Sequence, residues 1–345
     1  MRLDLTDDER ALDDVFGSFF RRESAVEVVR HAEPLGFDAG LWTHFADLGG
    51  SAMGAPEAVG GGGATLTDLA VVADRVGQSI APVPFVEHQV ALRVLAQFDA
   101  VTEPLVAGDE IATFAVRPGG PLGFGLVPAG AVAHVVVGLV GENLVAVRDT
   151  PSGVAPRNHA SMPIAERSTE GATVLASGGA AREAFARARA EWQTLTASAL
   201  TGIAVTAQAI ALEYVSVRHQ FDRPIGAFQA LQQQLADLPI AIEGARLLSY
   251  KAAWSGDRAE PGVVDVDLCD VTEFAAVASM AFLFASEASA LATDRSLHAH
   301  GGYGYAEEYD IQLYFRRARG WSLIAGDPAG ECLHLADALF GPVSA

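Results

Sequence analysis

The chain is predicted to fold as an α+β protein in three successive blocks: an N-terminal helical domain over 1–108, a small antiparallel β domain over 109–180, and a C-terminal four-helix bundle over 181–345. Three observations carry this. Apolar residues recur at helical spacing in the outer blocks. Short valine-rich runs bounded by Gly, Pro and Asn fill the middle. Three helical stretches of the last block are at least twice the globular average of about 11–12 residues, long enough to pack as an antiparallel bundle.

In the first block Thr6 and Glu9 make a capping-box pattern, and Leu12, Val15, Phe16, Phe19 and Phe20 follow on one helical face. Further helices are expected over 67–76 and 86–98. The run Gly60-Gly61-Gly62-Gly63 follows no clear strand and matches no nucleotide fingerprint, so it reads as a flexible connection. In the middle block, residues 111–116, 131–139, 143–148 and 172–176 read as strands. No helix there is long enough for βαβ units, which disfavours a Rossmann architecture. The last block carries helical patterns over 181–218, 228–255, 268–295 and 307–319. The third is small-sided, with Ala276, Ala278, Ala281, Ala285 and Ala288 suiting close helix packing.

At 345 residues, 50% hydrophobic and 19% charged, the chain can bury a sizeable core, and its composition excludes disorder, collagen and a disulfide scaffold. A formal charge of −20 opposes nonspecific binding to nucleic acid or to anionic membranes. Lys251 is the only lysine, so basic recognition falls to arginine. Cys269 and Cys332 are far apart and fit a reducing compartment. The first residues lack a basic and an apolar targeting region. Apolar stretches such as 130–140 fall short of the roughly 18 residues of a spanning helix, so a cytoplasmic protein is expected.

Two motifs narrow the reading. Arg218-His219-Gln220-Phe221-Asp222-Arg223-Pro224-Ile225-Gly226, with Phe228-Gln229 and Gln233-Gln234-Leu235-Ala236-Asp237, resembles the central signature of the acyl-CoA dehydrogenase family. His298-Ala299-His300-Gly301-Gly302-Tyr303-Gly304-Tyr305, with Glu308-Tyr309 and then Arg316-Arg317-Ala318-Arg319, resembles its second signature. The resemblance runs from about residue 5 to 340. It implies FAD as cofactor, an acyl-CoA substrate, and electron-transfer flavoprotein as electron acceptor. It also implies that Arg218, Gln220, Phe221, Gln229, His298, Gly301 and Gly302 contact a flavin dinucleotide held mainly by an adjacent subunit. The chemistry suits the residues: a guanidinium fork matches two phosphate oxygens, and glycine lets backbone amides approach closely. Read from the residue alone, Arg218 is a helix-end cation satisfying the C-terminal dipole; the two motifs together turn the reading to cofactor contact. His298 and His300 have no evident third partner for a metal.

The family removes the α-proton of the thioester with a carboxylate while the β-hydrogen leaves as hydride to the flavin. In most members that carboxylate opens a Glu-Gly-Thr triplet, matched here by Ala325-Gly326-Asp327. In others it lies on the long helix and is followed by an arginine, matched here by Trp192 and Gln193. Both base positions are empty, which leaves Glu191 and Asp327 as candidates for a displaced base. The β block also departs: 115–121 and 127–134 offer few donors for a flavin ring. This combination resembles the smaller, non-catalytic subunits of actinobacterial α2β2 acyl-CoA dehydrogenases of steroid and cholesterol side-chain degradation, whose larger subunit holds the flavin and the base. The alternatives are a self-sufficient homotetramer with a displaced base and a redox-inactive scaffold.

Overall fold

The computed structural model describes residues 4–259 and 274–341; Cys269 and the start of the third bundle helix expected from the sequence lie outside them. The N-terminal lobe contains α1 (Asp7–Glu23), α2 (Val26–Ala32), α3 (Ala39–Asp47), α4 (Leu66–Ser79), α5 (Phe85–Ala96) and α6 (Glu103–Ala107). The capping box of α1 forms: Glu9 N–H donates to the Thr6 hydroxyl at 3.2 Å, and Thr6 N–H to the Glu9 carboxylate at 2.6 Å. Phe16, Phe19 and Phe20 turn inward, and Phe20 stacks on Phe45 of α3 at 5.6 Å between ring centroids. The helices α2, α3 and α6 were not expected; at two and a half turns or fewer they show little period to read. Gly60 to Gly63 connects a 3₁₀ turn (Glu57–Val59) to α4, without a phosphate loop's strand-to-helix context.

The middle lobe holds β1 (Ala112–Phe114), β2 (Phe124–Val127), β3 (Val135–Val140), β4 (Asn143–Arg148), β5 (Ala165–Arg167) and β6 (Thr173–Ser177). Four of these make a sheet in the order β1-β3-β4-β6, and β2 pairs separately with β5. The pairings β3–β4, β4–β6 and β2–β5 are antiparallel, but β1 and β3 run parallel, because the chain leaves β1, passes through β2 and re-enters the sheet in the same direction. The strand expected from 131 begins only at 135. The preceding turn is held by the buried Arg167 guanidinium, which donates to Gly130 O at 2.7 Å and Ala133 O at 2.6 Å.

The C-terminal lobe comprises α7 (Gly178–Val217), α8 (Gln229–Ala236), α9 (Leu238–Arg258), α10 (Phe274–Ala299), α11 (Ile311–Ser322) and α12 (Pro328–Phe340). The helix expected over 228–255 is two helices, α8 and α9. They part at Asp237, with Pro239 in the first turn of α9, where its missing N–H does no harm. The helix α12 was not expected; Asp327 caps it by accepting from Ala329 N–H at 2.9 Å. Contrary to the expectation that no apolar stretch reaches spanning length, α7 and α10 each contain an 18-residue window of mean hydropathy 1.6. In α7 67% of that window is buried inside the fold and in α10 61%, so the apolar length belongs to core helices.

Buried polar contacts lock the lobes together. Arg93 of α5 forms a two-pronged pair with Glu191 of α7 at 2.9 and 3.2 Å, and Arg187 joins the same carboxylate at 3.2 Å. Glu33 receives Arg316 at 2.8 Å and Arg317 at 2.7 Å from α11. His88 is fully buried and accepts from Ala112 N–H at 3.0 Å, joining α5 to β1.

Candidate functional site

The first motif occupies the end of α7 and the hairpin beyond it. Arg218 is the C-cap, with φ −76° and ψ 121°, and its N–H donates to Tyr214 O at 2.9 Å. Ile225 N–H then donates back to Arg218 O at 2.7 Å, so the chain reverses at once. The short strands β7 (His219–Gln220) and β8 (Arg223–Pro224) pair Gln220 with Arg223 and leave Phe221 and Asp222 as a two-residue turn. Both turn residues have positive φ, 54° and 62°. A left-handed conformation costs a non-glycine residue about 1–2 kcal/mol, so the turn is held against its local preference. It leaves the Phe221 ring 86% exposed. Gln229 is exposed at the start of α8, and the Gln220 amide donates only to His219 O, at 2.9 Å.

The second motif follows α10. Gly301 opens a 3₁₀ turn (Gly301–Tyr305) at φ +61°, which favours glycine. No atom lies within 4 Å of where a Cβ would stand on Gly301 or Gly302, so both backbones face open space. His298 is exposed, whereas His300 is buried, its ring stacked on Tyr214 at 4.1 Å and Nδ1 2.7 Å from Ser296 O. Burial lowers the His300 pKa, which keeps the ring neutral at neutral pH. Among the described residues no three His, Cys, Asp or Glu side chains converge as a metal site. The fold brings the two motifs together: the Arg218 guanidinium lies over the Tyr303 ring, 5.4 Å from its centroid.

This face fits the adenosine-diphosphate end of FAD. It offers a guanidinium with no carboxylate partner among the described residues, glycine backbone open to approach, and an exposed aromatic ring for an adenine. The β lobe suits a flavin ring poorly. In its departed segments the backbone N–H groups of Ala115, Ala131, Val132, Ala133 and His134 all donate to carbonyls of the lobe itself.

One of the two empty base positions, Trp192, lines a small cavity where the three lobes meet, and the other, Ala325, does not. Its volume is about 40 Å³, and its lining includes Glu87 of α5, Met162 of the β lobe, Trp192 and Thr196 of α7, and Arg317 and Trp321 of α11. Trp192 is 1% exposed, packs on Phe282 at 5.5 Å, and has an indole N–H without a partner. Gln193 turns away from it and donates to Glu331 at 2.6 Å, a carboxylate that Ser279 and Arg189 also reach. Neither displaced-base candidate lines the cavity: Glu191 is bound by two arginines and Asp327 caps α12. Ala325 packs half-buried against the core.

The carboxyl that does line the cavity is Glu87. Burial raises its pKa from 4.5 to about 7. Sequence reading passed over Glu87 because it sits between Val86 and His88 in a helix buried nearly all round, where no period separates a site from a core.

Comparison with known proteins shows the family and the fold. The acyl-CoA dehydrogenase N-terminal domain matches residues 6–99 and the C-terminal domain residues 177–340. The acyl-CoA dehydrogenase IpdE2 of Mycolicibacterium smegmatis is 28% identical over 97% of this chain and 100% of its own length. The acyl-CoA dehydrogenase FadE27 of Mycobacterium tuberculosis is 29% identical over 86% of each chain. The fold matches a chain of the ChsE4-ChsE5 complex from Mycobacterium tuberculosis with a TM-score of 0.82, at 23% identity and full coverage of both. It also matches butyryl-CoA dehydrogenase of Megasphaera elsdenii with a TM-score of 0.79, at 21% identity over 98% of this chain and 100% of that one. With both of its terminal domains matched and the three-lobed fold in place, the chain belongs to the acyl-CoA dehydrogenase family.

Proposed function

We propose that this chain is a subunit of an FAD-dependent acyl-CoA dehydrogenase and completes the FAD site of a larger catalytic partner, as one half of an α2β2 assembly. One contrast carries the reading. The face that would meet a dinucleotide is open and charged, while the chain's own three-lobe cavity is a 40 Å³ space walled by Trp192. The chemistry supplied by bound FAD is acceptance of the β-hydrogen of an acyl-CoA as hydride. This chain's contribution is electrostatic and positional: Arg218 meets the diphosphate, and Gly301 and Gly302 let their backbone approach it. The acyl-CoA, the base and the exit of electrons to electron-transfer flavoprotein belong to the partner in this reading. Similarity to IpdE2 along its whole length, and a fold shared with a two-protein complex, support it.

The test is to purify the chain alone and co-expressed with a larger acyl-CoA dehydrogenase subunit, then count flavin per chain. The expected result is a colourless lone protein and a complex with one flavin per two chains. Arg218→Ala in this chain is expected to weaken the affinity of the complex for FAD at least tenfold, about 1.4 kcal/mol, and so to lower its flavin content. A yellow lone protein that oxidises acyl-CoA overturns the reading.

A second reading, a self-sufficient dehydrogenase with a displaced base, now rests on Glu87 instead of Glu191 or Asp327. Glu87 is the carboxyl beside Trp192 in the cavity, and its pKa of about 7 suits a general base near neutral pH.

A further inference from the structure

The arginines of this acidic chain are mostly neutralised; fifteen of them sit within ion-pair distance of a carboxylate. Six others have no carboxylate within 4.0 Å among the described residues: Arg21, Arg117, Arg157, Arg218, Arg223 and Arg258, the last over Trp254 at 4.6 Å; of these, Arg218 and Arg223 bracket the strained hairpin. Neither has a carboxylate within 4.0 Å among the described residues, and each lies over an aromatic ring instead. Arg218 is 5.4 Å from the Tyr303 centroid and Arg223 4.2 Å from that of Phe228. The difference between a ring and a carboxylate as a holder is chemical. A carboxylate takes up the in-plane N–H donors of the guanidinium and cancels its charge. A ring face holds the planar cation by its quadrupole and leaves those donors and the full charge available. In a molecule of formal charge −20, two arginines kept from acids within six residues mark a place built for an anion.

We propose that Arg223 is a second cationic ligand of the dinucleotide diphosphate, beside Arg218, and that Phe228 and Tyr303 are positioning residues that hold the two guanidiniums unneutralised. The inference rests on the reading that this face meets FAD, and adds to it a residue and a mechanism of preorganisation. The hairpin supplies the arrangement. Gln220 pairs with Arg223 across the turn, so Arg223 opens β8 while Arg218 precedes β7. Phe221 at the tip lies edge-on to Phe228 at 6.1 Å, tying the strained turn to the ring beneath Arg223. Tyr303 is braced by Tyr309 at 5.4 Å, and Tyr309 in turn meets His300 at 6.1 Å and Tyr214 at 6.3 Å. The platform under Arg218 is thus anchored in both α7 and α10, and the neutral His300 adds no competing charge.

The experiment titrates FAD into the flavin-free complex of this chain with its co-expressed larger subunit, following quenching of flavin fluorescence, with ADP and adenosine as competitors. Arg223→Ala is expected to weaken FAD and ADP about tenfold and to leave adenosine unchanged, since adenosine has no diphosphate. Phe228→Leu and Tyr303→Leu are expected to weaken FAD about threefold to fivefold. Tyr303→Phe, which keeps the ring face, is expected to restore wild-type affinity. Thermal melts of each variant check the fold. If Arg223→Ala binds FAD within twofold of wild type while Arg218→Ala is weakened, Arg223 is no ligand and the inference falls alone. If Arg218→Ala also binds normally, the reading of the whole face falls with it. An equal loss for adenosine and ADP would place the effect in folding of the hairpin and overturn the ligand role.

Discussion

Gly202→Ala is expected to lower the melting temperature by roughly 4 °C, and Gly77→Ala by a similar amount, whereas Gly179→Ala leaves it nearly unchanged. The first two glycines are where α4 and α7 touch backbone to backbone. A Cβ on Gly77 would fall deep inside van der Waals contact with Ala199 O and 2.8 Å from Ala199 Cα. One on Gly202 would overlap Asp74 O and stand 2.7 Å from Gln78 N. Neither obstacle is the end of a flexible side chain, so the helices themselves must separate. Overpacking of this kind costs about 3 kcal/mol. The contact also seats the end of α4, where Gln78 O accepts from Thr206 at 2.9 Å and from Tyr314 at 3.0 Å. Gly179, near the start of α7, has no atom within 4 Å of its Cβ position, and alanine suits a helix better than glycine. Differential scanning calorimetry of the three variants decides the matter. A Gly202→Ala protein that melts with wild type would show that α4 and α7 are not in backbone contact.

Those glycines illustrate what was legible in the sequence. Along a helix Gly77 and Gly202 look like weak points of propensity, because the reason for them lies on the other helix. Long helices such as α7 and α10 were readable from their period. The break between α8 and α9 was not, since Pro239 is compatible with a first turn as well as with a continuing pattern's end. The parallel pairing of β1 with β3 depends on where the intervening β2 goes, which no local pattern encodes. At the site, Arg218, Gly301 and Gly302 were found through motif spacing. Tyr303 and Arg223 were quoted within those motifs without a role, because a cation over a ring appears only when the segments are folded together. The base candidates followed the same rule. Glu191 differs from Trp192 by one helical step, which turned it toward Arg93 and out of the cavity.

Glu87→Gln is expected to stabilise the protein at pH 8 by up to about 3 kcal/mol and to have no effect on stability at pH 4.5. Glu87 is fully buried and its pKa is raised from 4.5 to about 7. Between those values the folded chain keeps a proton that the unfolded chain has lost. The stability from its protonated form is therefore complete below about pH 4.5 and is lost as pH rises through about 7. Glutamine is close in shape, carries no charge at any pH, and escapes that loss. The neighbouring His88 works in the opposite direction. Its pKa is lowered from 6.5 to about 4 by burial, so the stability from its neutral form is present above about 6.5 and is lost as pH falls toward 4. In the wild type the two slopes oppose each other between pH 4.5 and 6.5. In Glu87→Gln the His88 slope is no longer opposed by Glu87, so the variant is expected to lose more stability than wild type on going from pH 6.5 to 4. Urea denaturation at pH 8, 6.5, 4.5 and 4 measures all of this. A variant no more stable than wild type at pH 8 would show that burial does not raise the Glu87 pKa. The same protein separates the two functional readings. If the chain only completes a partner's FAD site, turnover by the Glu87→Gln complex follows wild type at every pH. If Glu87 takes the α-proton, turnover falls by about a hundredfold or more, and the wild-type rate climbs with pH through about 7, where the carboxylate forms.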